Sequence, residues 1–405
     1  LFLLGGQIAA LAVARRVAGC GVPVAVADRG SDSAAWDSRY CRLRLRLAVA
    51  EPEAWLDRVL AAGRTWGGAP VLLATSDEWL LWASHWREQL ATVFRLRLPA
   101  AELLAKLLDK RRMPALAAAY GLAAPRQAVI SGSGDLVAAA REVGFPCLLK
   151  SAASHPGGHS ADAGKRRVAD LSQLAEAYAV LARLDDRVLL QEYLPGSCRQ
   201  VALYNGYFAA GGVPLAALTG RKLQQYPLEF GTACLSESVP VPGLAPPLTR
   251  FFQAVGYAGP VDVGLKYDPR GGQYKILDIN PRLGQNHAGF RTPAGEDVGW
   301  LAYADAAGLL PAERYAYCAC LGRPARWGIG DDYVRAWRLA RAARQPGPAL
   351  REVLTIRRCA FWSWRDPAPW LRRLTSPLRR RVAGRRRATG RPRTTARHAA
   401  PTNDV

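Results

Sequence analysis

The sequence predicts a mixed α/β and α+β protein: an open, mostly parallel sheet at the N-terminus, followed by a two-part unit built around an antiparallel hairpin. Three observations predict it. Short apolar strands alternate with helical segments over the first hundred residues, the pattern of a sheet covered by helices. That alternation breaks near Pro99. A long hairpin then lies between Val261 and Ile279, with a glycine-rich turn at its tip.

Taken in order, Phe2 to Leu4 is a buried strand, Gly5-Gly6 a turn, and Ile8 to Val17 an apolar helix. Val22 to Ala27 gives a second strand ending at Asp28, and Pro70 to Ala74 another, followed by Ser76-Asp77-Glu78 capping the next helix. Helices from Ala101 and from Met113 precede the break Gly121-Leu-Ala-Ala-Pro125. Pro146 to Lys150 is an apolar strand ending in a lysine, and Val188 to Tyr193 is a strand closed by Pro195-Gly196. Between them, Ser151 to Gly164 reads as a flexible, glycine-bearing stretch. Helices and loops are expected from about Trp300 to Trp370. The organisation predicted is 1–100, 101–190, 191–300, a helical extension 301–370 and a basic disordered tail 371–405.

That tail supplies +10 of the net charge of +22, since eleven Arg there stand against the single acid Asp404. So few apolar residues cannot fold alone. The placement argues against nucleic acid as a partner of the folded part. Only seven of the 55 basic residues are Lys: Lys106, Lys110, Lys150, Lys165, Lys222, Lys266 and Lys275. In a chain that otherwise uses Arg, a lysine marks a place where a compact ammonium suits a phosphate. The eight cysteines form no CxxC pair, which argues against zinc and for buried reduced thiols in a cytoplasmic protein. No run of about 18 apolar residues suggests a membrane span. The start, Leu1 to Gly6, reads as a strand and turn rather than a signal peptide, and the missing Met points to a few absent residues.

The hairpin carries the chemistry. If Tyr267 faces Gln273 across a five-residue turn, Asp262 lies opposite Asp278. Slipping the pairing places Asp262 opposite Asn280 instead. Either register keeps Asp262, Asp278 and Asn280 on one face, because strand side chains repeat every two residues. Facing carboxylates destabilise a sheet unless something positive sits between them. Oxygen ligands so spaced suit Mg²⁺, with Mn²⁺ as an alternative. Arg282 can point a guanidinium fork at a phosphoryl group.

Leu277-Asp-Ile-Asn-Pro-Arg282 resembles the acid-x-Asn-Pro-Arg signature of the ATP-grasp superfamily. Other segments follow in the family's order. Leu108-Asp-Lys110 is similar to the lysine preceding the small subdomain, and Phe145 to Lys150 to the second ATP-binding strand. Gln191-Glu-Tyr-Leu-Pro-Gly196 resembles the hinge that holds adenine and ribose. Arg221-Lys222 before Gln225-Tyr-Pro resembles a phosphate-contacting element of carboxylate–amine ligases in the D-aspartate-ligase-like branch. The resemblance covers roughly residues 1 to 300. It implies a pre-ATP-grasp-like domain (1–100), a small ATP-grasp subdomain (101–190) and a large one with the metal hairpin (191–300).

It also implies an ADP-forming carbon–nitrogen ligase. A substrate carboxylate attacks the γ-phosphorus of ATP, and an amine displaces phosphate from the acyl phosphate. The residues expected to act are Arg282 and Lys222 in catalysis, and Asp262, Asp278 and Asn280 at the metal. Lys110, Lys150, Lys165, Gln191, Glu192, Tyr193 and Leu194 are expected at the nucleotide. Three departures from the pattern stand out. Asp278 replaces the more usual Glu, Gly264 stands where many members carry the second acid, and the cover containing Gly157 and Gly158 is long. Asp262 is therefore assigned the second acid's role. His287 is expected either to line the acceptor pocket or to serve structure.

Two rival readings come from the residues. Gly5-Gly6 between strand and helix, with Asp28 about twenty residues on, would suit a nicotinamide- or flavin-binding oxidoreductase, although the turn lacks a G-x-G-x-x-G pattern. The tail, with Arg379-Arg-Arg381 and Arg385-Arg-Arg387, and with Trp362, Trp364 and Trp370 interleaved with Arg365, Arg372 and Arg373 just upstream, would suit a binding protein that holds nucleic acid or an anionic membrane surface on the inner face. The expected partners are ATP and small-molecule carboxylate and amine substrates.

Overall fold

The structure is a computed structural model that describes residues 1–30, 33–47, 51–151, 165–183, 188–311, 321–344 and 349–375. The stretch with Gly157 and Gly158, Cys318, Cys320 and the tail from residue 376 lie outside the described residues.

The N-terminal unit runs β1 (Phe2–Leu4), α1 (Ile8–Ala18), β2 (Val24–Asp28), β3 (Cys41–Arg46), α2 (Pro52–Trp66), β4 (Leu72–Ala74), α3 (Asp77–His85) and α4 (Arg87–Ala91). Its four strands are ordered β3-β2-β1-β4, all parallel. Strand alternation sends Leu3 to the core shared with α1, and Phe2 and Leu4 to the opposite core with Trp55 and Trp79. The sequence reading missed β3, whose alternating Arg and Leu give it one wet face. Ser76 caps α3 as expected, accepting the Trp79 N–H.

The chain continues through α5 (Ala101–Leu108), α6 (Met113–Ala118), β5 (Gln127–Ile130), α7 (Leu136–Val143), β6 (Cys147–Ser151), β7 (Lys165–Val168), α8 (Leu171–Leu181) and β8 (Val188–Glu192). The small antiparallel sheet is ordered β5-β8-β6-β7. One face, with Cys147, Leu149, Val188 and Leu190, is buried with residues of α7 and α8. The other carries Lys150, Lys165 and Gln191. Helices α5 and α6 contribute instead to a core containing Tyr204, Phe251 and Phe252 of the larger unit.

The larger unit comprises β9 (Val201–Ala209), β10 (Val213–Tyr226), β11 (Thr232–Ser238), α9 (Ala245–Ala254), β12 (Gly259–Asp268), β13 (Gln273–Asn280), α10 (Val298–Ala307), β14 (Arg326–Gly328), α11 (Gly330–Ala342) and β15 (Arg358–Cys359). Its sheet is ordered β13-β12-β9-β10-β11-β14-β15. Strand β9 is buried along its whole length. Its Ala202, Tyr204 and Phe208 join the core beneath α9, while Val201, Leu203 and Tyr207 join the core shared with α1 and α10.

The expected helical extension differs from what is observed. Residues 301–370 include β14, which pairs with β11, and β15, which runs parallel to β14. Strands of three and two residues leave too little pattern to read. The segment is also fastened to the N-terminal unit. Asp366, fully buried, accepts hydrogen bonds from Arg15 Nε at 2.8 Å, Ser38 Oγ at 2.8 Å and the Arg39 N–H at 2.9 Å. Residues 371–375, expected as the start of a disordered tail, are instead placed: Arg372 pairs with Asp37, and Arg373 with Asp331 and Asp332.

Candidate active site

The hairpin adopts neither expected register throughout. Asp268 pairs with Gln273 around a four-residue turn, and Asp268 Oδ1 takes the Arg270 N–H at 3.1 Å. A bulge at Leu277 then shifts the pairing, so that Asp262 faces Asn280 and Gly264 faces Asp278. The three expected metal residues do share one face. Asn280 Nδ2 stands 3.4 Å from both Asp262 Oδ2 and Asp278 Oδ2.

Gly264 now has a physical reason. A Cβ there would lie 2.3 Å from Asp278 Oδ1, so the carboxylate occupies the space that a second acid's stem would need. Asp262 is held from the other side by Gly284, where a Cβ would come within 2.6 Å of its carboxyl carbon. Burial pushes the Asp262 carboxyl up to about 7 against the pull of Arg282, and Asp278 adds to the rise. Its Oδ1 is buried with no hydrogen-bond partner.

This orphaned oxygen, beside a second carboxylate, fits a divalent cation: two oxygen donors of like charge need a positive partner. Among the described residues no cluster of three or more His, Cys, Asp or Glu gathers for a metal, so the donor set rests on Asp262 and Asp278. Asn280, as oriented, donates its amide N–H groups to the acids, and its Oδ1 accepts from Arg282 Nη2 at 3.3 Å.

Arg282 lies between two units. Its Nε donates to Asp77 Oδ1 at 2.9 Å, and its Nη1 to the Leu283 carbonyl at 3.1 Å. Asp77 had been read only as part of a cap. Its side chain instead reaches from the start of α3 to the end of the hairpin.

Across the cleft, Lys150 and Lys165 face each other on β6 and β7. Opposed ammonium groups destabilise a sheet unless an anion joins them. Lys150 is buried and donates to Gln191 Oε1 at 3.1 Å. Burial, then Lys110 and Lys165, lower its pKa to about 7, while Asp278 pulls the other way. Burial also lowers the Lys222 pKa, with Asp278 and Asp262 opposing and Lys165 assisting. Lys222 Nζ donates to Gln225 Oε1 and the Gly231 carbonyl, both at 3.2 Å. Thus lysines of the small sheet, Lys110 and Lys222 all lie within electrostatic reach of one another or of the hairpin acids.

The hinge segment differs from expectation at Glu192. Both its carboxylate oxygens are engaged: Oε1 by Arg270 Nη2 at 2.7 Å, and Oε2 by Lys275 Nζ at 2.9 Å and the Arg126 N–H at 3.1 Å. Burial raises its pKa, but these partners outweigh it and the net shift is downward. The side chain therefore ties the hinge to the hairpin and is not free for a ribose. Tyr193 lies between Arg167, 4.5 Å from its ring centroid, and Lys266, at 5.7 Å. Lys266 also donates to the carbonyls of Leu194 at 2.8 Å and Gly196 at 2.9 Å. His287 is fully buried, with Nδ1 2.9 Å from the Gly284 carbonyl, so it braces the loop over Asp262.

The dinucleotide reading fails at the glycine turn. A Cβ on Gly6 would fall 1.5 Å from Ser33 Oγ and 2.9 Å from Asp28 Oδ2, so protein side chains fill the space against the turn. Among the described residues, no helix is long and apolar enough to cross a membrane.

No family model matches the chain. It is 26% identical to a D-alanine–D-alanine ligase of Pseudomonas entomophila over 184 residues, 44% of this chain and 55% of that protein. It is 34% identical to the Ectopseudomonas mendocina ligase of the same name over 99 residues, 24% and 30% of the two chains. The chain thus spans about half the length, or less, of these curated relatives. Among solved structures it is similar to N5-carboxyaminoimidazole synthetase from Staphylococcus aureus, with a TM-score of 0.62 and 13% identity over 85% of this chain and 86% of that one. It is similar also to an L-amino acid ligase from Bacillus licheniformis, with a TM-score of 0.59 and 15% identity over 77% and 75%. These likenesses show the fold: the architecture that carries the acid-x-Asn-Pro-Arg hairpin is an ATP-grasp fold.

Proposed function

We propose that the chain is an ATP-dependent, ADP-forming ligase that joins a carboxylate to an amine. The observation that carries this reading is the charge arrangement across one cleft. Lys150 lies within electrostatic reach of Asp278, and Lys222 of Asp262 and Asp278, with Lys110 and Lys165 beside them. An anion that bridges lysines and also brings a cation to two carboxylates is met by a metal-bound polyphosphate. The names of the relatives and fold neighbours point the same way.

In this reading the four lysines neutralise phosphate charge, and the Tyr193–Leu194 hinge lies beside the base. Asp262 and Asp278, with Asn280 beside them, would hold Mg²⁺, which supplies charge neutralisation between the phosphates. Arg282, fixed by Asp77, faces the transferring phosphoryl group. The substrate carboxylate oxygen bonds to the γ-phosphorus as the bond to ADP breaks. The amine nitrogen then bonds to the acyl carbon, phosphate departs with the C–O bond, and the amine gives up a proton. Positioning and electrostatics suffice, and no side-chain nucleophile is needed.

The test is a screen for ADP release over carboxylate and amine pairs, with hydroxylamine to trap the acyl phosphate. Asp278→Asn is expected to abolish turnover. Absence of phosphate release with every pair, together with no Mg-ATP binding, overturns the reading.

A further inference from the structure

Strand β9 contains one residue that its surroundings do not explain. Asn205 is fully buried, and neither its Nδ2 nor its Oδ1 has a hydrogen-bond partner. Its neighbours on the same face, Leu203, Tyr207 and Leu218, belong to the apolar core. Burying an unpaired amide costs roughly 1–3 kcal/mol for each orphaned group, so a leucine or valine would suit the strand better.

The pairing register shows what the amide is beside. Asn205 stands directly opposite Asp262 on β12, which stands opposite Asn280 on β13. Directly paired residues on one face bring their Cβ atoms to about 5 Å. Asp262 carries an orphan of its own: Oδ2 has Asn280 Nδ2 at 3.4 Å, while Oδ1 is buried and unpartnered. An orphaned donor and an orphaned acceptor therefore face each other across two strands. Gly284 closes the far side of the carboxyl.

We infer that Asn205 is a positioning residue of the metal site, its carboxamide holding, directly or through one water, the Asp262 oxygen that Asn280 does not reach. The polar row Asn205–Asp262–Asn280 then spans three strands, and Asp262 is braced from both sides toward the cation. A supporting hydrogen bond of this kind fixes a ligand's orientation and commonly changes metal affinity by about 10-fold or more. The inference rests on the metal-nucleotide reading of the same cleft.

The test uses the full chain with ADP and Mn²⁺, bound metal being counted from the loss of the free-ion electron paramagnetic resonance signal. Asn205→Val and Asn205→Thr are nearly equal in shape and both suit a strand, but only threonine keeps a hydroxyl donor. The Val variant is expected to bind Mn²⁺ about 10-fold more weakly than wild type, and the Thr variant within about 3-fold of it. Equal Mn²⁺ affinity in the two variants overturns the inference while leaving the ligase reading standing. If the Val variant does not fold, Asn205→Leu, which keeps the fork at Cγ, takes its place in the comparison with Thr. Failure of the wild-type chain to take up Mn²⁺ with ADP overturns both.

Discussion

Asp77→Ala removes the ion pair that reaches Arg282 from the N-terminal unit. The guanidinium has three holds: Asp77 at 2.9 Å, the Leu283 carbonyl at 3.1 Å and Asn280 Oδ1 at 3.3 Å. The shortest of them is lost. The two side chains are 20% and 29% exposed, so solvent screens the pair and its share of stability is about 0.5–1 kcal/mol. For a chain of this size that lowers Tm by about 1–2 °C. Ser76, not Asp77, supplies the side-chain cap of α3, so the helix keeps its start. The catalytic cost is larger, because a guanidinium free to swing no longer meets the phosphoryl group in one pose. We expect kcat to fall about 10- to 100-fold, roughly 1.4–2.7 kcal/mol of barrier. The KM for ATP should stay within about 3-fold, since the lysines and hinge are untouched. Asp77→Asn keeps an acceptor at the same reach and should recover part of kcat. A coupled ADP-release assay with a thermal melt measures all of this. A kcat for Asp77→Ala within 2-fold of wild type, at unchanged KM, would refute the reasoning.

Two other expectations follow from the same geometry. Gly264→Ala places a methyl group 2.3 Å from Asp278 Oδ1; the carboxylate can swing away at little cost in stability, but it leaves its place beside Asn280. Mn²⁺ affinity should fall about 10-fold with Tm nearly unchanged, and unchanged affinity would show that Asp278 does not bind from that pose. The second concerns pH. Lys150, with Lys110, Lys165 and Asp278 around it, has a folded pKa of about 7, below its ordinary 10.5. The folded chain thus binds fewer protons than the unfolded one between these values. Its stability penalty is fully present below pH 7 and is relieved as pH rises through that window. A bound polyphosphate restores the ammonium, so nucleotide binding at about pH 8.5 should take up about one proton. Calorimetry in buffers of different ionisation heat measures it; Lys150→Arg should show little uptake, and none in the wild type would overturn the assignment.

The parts of the site that could be read from sequence are those written in local pattern. Two-residue periodicity put Asp262, Asp278 and Asn280 on one face without knowledge of the register, and it survived the bulge at Leu277 because the shift lies beyond all three. The scarcity of lysine marked Lys110, Lys150, Lys165 and Lys222, which the fold gathers around one cleft. What stayed hidden depends on long-range contact. Asp77 lies 205 positions from Arg282, and its local setting at a helix start gave it a sufficient role already. Asn205 is a single polar residue in an apolar run, where only the strand neighbours reveal what it faces. Glu192 was assigned to the nucleotide because nothing local told of Lys275 and Arg270, which lie beyond the next four strands. Strands β14 and β15 were missed because elements so short are stabilised by the sheet edge they join, not by their own residues.

These hidden contacts have a common consequence for how the cleft works. The hairpin is tied at its tip, where Arg270 and Lys275 hold both Glu192 and Asp268, and at its base, where Arg282 meets Asp77. Lys266, near the tip end of β12, holds the carbonyls of Leu194 and Gly196. The segment joining the small sheet to the large one is therefore pinned on both sides of Tyr193. Closure of the small sheet over a nucleotide, if it follows the usual hinge mechanics, must bend residues outside these pins. The end of β8 and the metal hairpin then move as one body. Lys150, paired with Leu189 of β8 and donating to Gln191 beside the pinned Glu192, stays with this body, whereas Lys165 lies farther out on the edge strand β7. In the proposed ligase the acids and Lys150 therefore keep their geometry, and Lys165 is the phosphate contact left to arrive with the nucleotide.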